Sequence, residues 1–221
     1  MDGSGALFDD FASELKARSL VISYPTDRPL GYSELEEYVL AALPKNESFI
    51  LLAESFSGPI AIALAARQLP QLRGLVLVCS FAKAPFTLPT FMRKYVAGLP
   101  FWRAPVALAT KVLLGGYRSE TIEEKLEQAI RAVTPQVWKA RLRATLGVDS
   151  TSLLCRIQVP VLYLRASEDR VVFSSASEVI CQHVPAAKVV EVAGPHFLLQ
   201  AKPKGSAAAI RAFANAHNLA L

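Results

Sequence analysis

Ser48-Phe-Ile-Leu-Leu-Ala-Glu-Ser55-Phe-Ser-Gly58-Pro-Ile-Ala-Ile-Ala-Leu-Ala-Ala66 decides the reading of this chain. An apolar run ends at Glu54, one serine follows among small residues, and an alanine-rich run of high helix propensity begins. Strand, sharp turn and helix, with a serine at the turn, lifts the hydroxyl clear of the end of a sheet. Such a turn forces the serine into strained backbone angles and brings the helix close to the strand. The residues two before and two after it must therefore be small. Here they are Ala53 and Ser57, with Gly58 next. Glycine would tolerate those angles best, and the next smallest residues stand in for it. The first helical turn leaves N–H groups unused, and its dipole favours negative charge. Phe56 N–H is thus a candidate donor to an anion beside Ser55. A plainer reading fits the same letters: a serine capping an ordinary helix after a buried strand.

Outward from this segment the chain alternates. Leu7, Phe8, Phe11 and Leu15 recur at helical spacing, and 20–24 is a short β-rich run closed by Pro25. Ser33 and Glu36 have the spacing of a capping box, with Leu35, Tyr38, Val39 and Ala42 as the apolar stripe behind it. Strands are expected at 49–53, 74–79, 159–164 and 188–192, and helices at 60–68, 174–183 and 204–217. Continuous apolar strands separated by helices indicate an α/β fold, a mostly parallel sheet with helices on both faces. Residues 81–150 interrupt the alternation with no convincing strand. Phe86, Leu88, Phe91, Met92, Tyr95, Leu99, Phe101 and Trp102 crowd its first part among prolines. Two amphipathic helices follow, near 119–132 and 135–146, and Asp149 is placed to cap a short helix. The expected organisation is a core of 1–80 and 151–221 with a helical insertion at 81–150. Its aromatic residues either line a pocket or pack the insertion onto the core.

The 221 residues, 52% of them apolar, suit one domain with a sizeable core. The run 101–116 is too short and too charged to span a bilayer, and no signal peptide is visible. Cys79, Cys155 and Cys181 have no metal-ligand spacing and sit in apolar contexts. They read as buried small hydrophobes in a reducing compartment, hence a cytoplasmic protein. The net charge of +5 is concentrated in 81–150, which holds 11 basic and 5 acidic side chains. A solvated surface explains this better than attraction of anionic partners. The basic residues form no nucleic-acid-binding motif.

A serine hydroxyl is a weak nucleophile until a base takes its proton, and the base needs an orienting carboxylate. Of the three histidines, His183 falls inside a helix and His217 near the C-terminal end, both expected at the surface. His196 lies in Ala193-Gly-Pro-His-Phe197, just past a strand, at the end where open parallel sheets place their sites. Asp169 lies just past the preceding strand, with Glu168 as its rival in a different loop register. Cys79-Ser-Phe-Ala-Lys83, after the earlier strand, offers no acid. Serine, acid and histidine at three strand ends, in that order, are the constellation of an acyl-transfer triad.

With Ala-Glu-Ser55-Phe-Ser-Gly, Val-Pro-Val-Leu-Tyr-Leu-Arg-Ala-Ser-Glu-Asp169 and Gly-Pro-His196-Phe-Leu-Leu-Gln in hand, the chain resembles the α/β-hydrolase superfamily from its first residues to its last helix. The insertion resembles that family's helical cap. The resemblance implies a serine hydrolase acting on esters or thioesters, with no metal or cofactor; the apolar insertion leads to the expectation of medium acyl or alkyl groups over charged small acids. A serine at the elbow argues against the dehalogenase and epoxide hydrolase branches, which need an aspartate. Acyltransferase, lyase and carbon–carbon hydrolase variants share the same triad. The resemblance also implies a second oxyanion donor from the loop matching Met1-Asp-Gly-Ser-Gly, with Met1 or Asp2 supplying the N–H. The strands that precede this loop in the family have no counterpart. In the family fold one of them lies between those matching 20–24 and 49–53. Either the flanking strands pair directly or the sequence begins at an internal methionine, the second being expected because an open edge is a liability. The remaining alternative is a hydrolase-fold remnant that serves as an interaction module.

Overall fold

The computed structural model describes residues 2–85, 89 and 106–221. Its centre is a four-stranded, all-parallel sheet in the order β1-β2-β3-β4: Phe49–Glu54, Leu72–Val78, Val161–Ala166 and Lys188–Val192. The alternation of each strand sorts its side chains to two faces. Val76, Val78, Leu162 and Leu164 face the helices Asp9–Leu15 and Pro203–Ala216, packing on Phe11, Leu15, Ile210 and Phe213. Leu75, Leu77, Val161 and Tyr163 face the opposite way, onto Ala61, Ile62 and Ala65 of Gly58–Ala66 and onto Ile180 of Ser175–His183. The α/β class expected from the alternation is the one observed. Burial is uneven, however: β2 and β3 are interior, whereas β1 is mostly half-buried and β4 is half-buried to exposed. An outer strand has a neighbour on one side only.

Four expectations need correction. Residues 20–24 form no strand: Leu20 is 64% exposed, and the stretch is held by Tyr24 N–H donating to Gly3 O at 2.7 Å. A β-rich run becomes a strand only with a ladder partner, and β1 pairs with β2 alone among the described residues. The capping box lies earlier than Ser33 and Glu36. The helix is Tyr32–Ala42, and Gly31 N–H donates to Glu34 Oε2 at 2.9 Å, so Leu35, Val39 and Leu43 carry the buried stripe while Tyr38 and Ala42 are exposed. The short helix Thr151–Leu154 has Ser150 at its N-cap. Asp149 sits one residue further out, its Oδ1 accepting from Thr151 N–H at 3.1 Å. Of the cysteines only Cys79 is buried. Cys155, at the end of Thr151–Leu154, is exposed and Cys181 half-buried, and all three are free.

Between β2 and β3 the described residues form the helices Val106–Leu113, Glu120–Arg131 and Pro135–Gly147. Ser119 and Thr134 cap the last two with their hydroxyls. Arg141 is buried to 1%, its guanidinium donating to Asp2 O at 2.6 Å and Pro25 O at 2.9 Å and lying over the Tyr24 ring. Phe197 N–H donates to Leu113 O at 3.0 Å, and the Phe197 ring packs with Leu114 and Leu126. Among the described residues no helix is long and apolar enough to cross a membrane.

Candidate active site

Ser55 stands at the end of β1 with φ of +52°, opening a 3-10 turn Ser55–Ser57 that runs directly into Gly58–Ala66. Left-handed angles cost a residue with a Cβ about 1–2 kcal/mol, so something must hold them. Ser80, just past β2, does so: its hydroxyl donates to Ser55 O at 2.7 Å, and its backbone is fixed by a reciprocal pair with the Tyr163 hydroxyl at 3.1 and 2.6 Å. A Cβ on Gly58 would collide with that Ser80 hydroxyl. Glycine is therefore needed at this third position after the serine for close approach, whereas Ser57 at the second position accepts from Tyr24 OH at 2.9 Å. Tyr32 stacks on Phe56 with centroids 4.8 Å apart and donates to its carbonyl at 3.1 Å.

His196 and Asp169 reach this turn from the ends of β4 and β3. Ser55 Oγ lies 2.8 Å from His196 Nε2, and His196 Nδ1 lies 2.9 and 3.0 Å from the two Asp169 oxygens. With Nδ1–H donating to the carboxylate, Nε2 is the acceptor for the serine hydroxyl. The His196 and Asp169 side chains are only 1% and 4% exposed. Asp169 Oδ1 also accepts from the N–H groups of Val171 and Val172, each at 2.8 Å. Burial alone would raise the Asp169 carboxyl. The hydrogen bond and charge of His196 and the two N–H groups outweigh it and hold the carboxyl below its ordinary range. Glu168 turns elsewhere, accepting from Tyr117 OH at 2.8 Å. His183 and His217 are exposed, as expected.

Four neighbours escaped the reading of the sequence. Glu54 accepts from Leu199 N–H at 3.3 Å and Gln200 Nε2 at 2.9 Å. Tyr24 and Arg141 back the turn from the side of Ser57. Cys79, with φ of +46°, brings its sulfur within 4.8 Å of the Asp169 and His196 donor atoms. These three side chains are of metal-ligand type. Burial, reinforced by the charges of Asp169 and Glu54, pushes the thiol well up. A metal there would have to ionise that thiol and displace the proton between Asp169 and His196. Asp2 is fixed by Arg141 on its carbonyl and by Ser4, whose N–H and hydroxyl donate to its carboxylate at 3.0 and 2.8 Å. Met1 and the crowded residues Phe86, Leu88, Phe91, Met92, Tyr95, Leu99, Phe101 and Trp102 lie outside the described residues.

No curated protein matches the chain. Solved structures similar to it include the enol-lactonase of Burkholderia xenovorans, at TM-score 0.81 and 15% identity over 97% of this chain and 88% of that one. A bromoperoxidase of Bacillus anthracis follows at TM-score 0.79 and 15% identity, covering 96% and 88%. A thermophilic esterase of Thermogutta terrifontis has TM-score 0.75 and 18% identity, covering 97% and 86%. At these identities the likeness is one of fold. The sequence model of the α/β hydrolase fold matches residues 32–203, a span that contains Ser55, Asp169 and His196. A parallel sheet with those three residues at its strand ends, and a family match over most of its length, make this chain a member of the α/β hydrolase family.

Proposed function

We propose that the chain is a serine hydrolase that cleaves a carboxylic ester or thioester through Ser55, His196 and Asp169. The observation that carries the reading is the continuous hydrogen-bond line from Ser55 Oγ through both ring nitrogens of His196 to Asp169, ending on a serine held at positive φ. His196 Nε2 takes the hydroxyl proton as Ser55 Oγ attacks the carbonyl carbon, and Asp169 stabilises the imidazolium. The oxyanion accepts from Phe56 N–H and from an N–H of the loop at Met1 or Asp2, each donor contributing about 3–4 kcal/mol in comparable sites. His196 returns the proton to the leaving alcohol or thiol. It then deprotonates a water that attacks the acyl-serine, releasing the acid and restoring the hydroxyl.

Residues 81–150 act in this reading as a cap over the site. The contact of Phe197 with Leu113 and Leu114 supports this, because it sets the insertion against the residue that follows His196. An apolar acyl or alkyl group is the expected substrate part. Three free thiols, one of them exposed, support a reducing compartment such as the cytoplasm.

A fluorophosphonate probe is expected to label wild-type protein at Ser55, and Ser55→Ala is expected to abolish labelling and cut turnover of a chromogenic ester at least about 1,000-fold. Folded wild-type protein that neither labels nor turns over, or an S55A variant that keeps its activity, would sink the assignment.

A further inference from the structure

We propose that Glu54 is a second carboxylate serving His196: it ties the nucleophile strand to the histidine segment, and its negative charge stabilises the imidazolium formed at each proton transfer. The inference rests on the serine-hydrolase reading above and deepens it. Glu54 is the last residue of β1, directly before Ser55. Its carboxylate accepts from Leu199 N–H at 3.3 Å and Gln200 Nε2 at 2.9 Å, both in the helix Leu198–Ala201 that begins two residues after His196. The strand that presents the serine and the segment that presents the histidine are thus joined by one side chain.

A carboxylate in this setting works against its own desolvation. Burial pushes the Glu54 carboxyl up to about 7. The Gln200 hydrogen bond, the His196 charge and the Leu199 N–H pull the other way. From β2's end the Cys79 thiol also feels the Glu54 charge. Asp169 occupies Nδ1 of the imidazole, so Glu54 acts on the ring through space rather than by a bond.

Gln200 separates charge from position. Its Oε1 is buried and has no hydrogen-bond partner among the described residues. Turning the amide over would present Oε1 to a protonated Glu54, so the same pair can hold the carboxyl in either state without moving the strand. Loss of the charge then need not loosen the clip. Glu54→Gln, which keeps the shape and an acceptor, removes the charge alone.

The test is kcat and KM of a chromogenic ester against pH for wild type, Glu54→Gln and Gln200→Leu, with fluorophosphonate labelling of each. In E54Q, Ser55 is expected to keep labelling and KM to stay within about twofold. Plateau kcat is expected to fall about tenfold, and the acid limb of the kcat profile to move to lower pH by roughly half a unit or more, because the imidazolium has lost a stabilising anion. Q200L removes a donor that favours the ionised carboxyl. Its kcat is therefore expected to match E54Q near neutrality and climb towards wild type only at higher pH. Should E54Q fail to fold, Q200L carries the test. A loss of kcat in E54Q with an unmoved acid limb leaves a structural clip and overturns the proposal, as does an unchanged kcat. Wild-type protein that neither labels nor turns over overturns the serine-hydrolase reading itself, and the Glu54 role with it.

Discussion

Asp169 and Glu54, bonded to His196 itself and to the helix just after it, stand in opposite electrostatic states. Asp169 is hydrogen-bonded to the ring and held below its ordinary range, so it contributes stability above its unfolded value that is lost as pH falls through its folded one. Glu54 behaves in reverse. Its carboxyl, raised from 4.5 to about 7, binds a proton in the folded chain that the unfolded chain releases, so stability declines as pH rises across that window. Because Glu54 is only partly shielded from solvent, a cost of about 1–2 kcal/mol is expected above the window. Glu54→Gln is accordingly expected to be more stable than wild type by about that amount at pH 8 and nearly equal to it at pH 5. Urea unfolding at the two pH values measures this, and a variant less stable than wild type at pH 8 would contradict it. Such a group fits a pattern in which active sites give up stability for function. Ser55, Asp169 and His196 were legible because each follows an apolar run that ends abruptly. Glu54 was not, because its partners lie 145 and 146 residues away and nothing local marks the pairing.

At the scale of elements, sequence and structure agree wherever a segment is fixed by its own pattern. The four expected sheet strands are observed within two residues at each end, and the helix Gly58–Ala66 follows the serine as its alanines imply. Agreement fails where a neighbour decides. Residues 20–24 carry strand-forming side chains but no ladder, and the helix at Tyr32 starts where Gly31 can donate to Glu34. The elbow itself is such a case, since its glycine requirement comes from Ser80 on another strand. Gly58→Ala should lose about 1–3 kcal/mol by overpacking against that hydroxyl and slow probe labelling of Ser55, whose carbonyl Ser80 holds. In Gly58→Ala/Ser80→Gly the collision is absent, so the double variant should be more stable than the sum of the two single losses allows. Strict additivity in the unfolding free energies would refute this account of the elbow.

Over the whole molecule the site is a product of long-range closure. Ser55 and His196 are 141 residues apart in sequence and meet only because four strands are in register. The helices between β2 and β3 are then fastened back to the body by a few specific contacts, of which Arg141 is the most buried. It reaches from Pro135–Gly147 to the carbonyls of Asp2 and Pro25 while covering the Tyr24 ring, and Tyr24 in turn donates to Ser57, two residues from Ser55. Burial lowers the Arg141 guanidinium from its ordinary value, with the charge of Asp2 opposing that, and the group still functions as a cation. Arg141→Met keeps much of the volume but strips the donors from two carbonyls. A loss of about 2–4 kcal/mol is expected from leaving buried acceptors without their partner. Arg141→Lys is expected to recover less than half, since one ammonium cannot reproduce the planar fork that meets both carbonyls and lies on Tyr24. Chemical unfolding of the three proteins measures the order, and probe labelling of Ser55 adds a second readout. Because the same arginine fixes residue 2 and the backing of Ser57, labelling in R141M should slow even in conditions where the protein is fully folded. A methionine variant as stable as wild type, with unchanged labelling, would mean that the helices between β2 and β3 and the Ser55 turn are independent of one another.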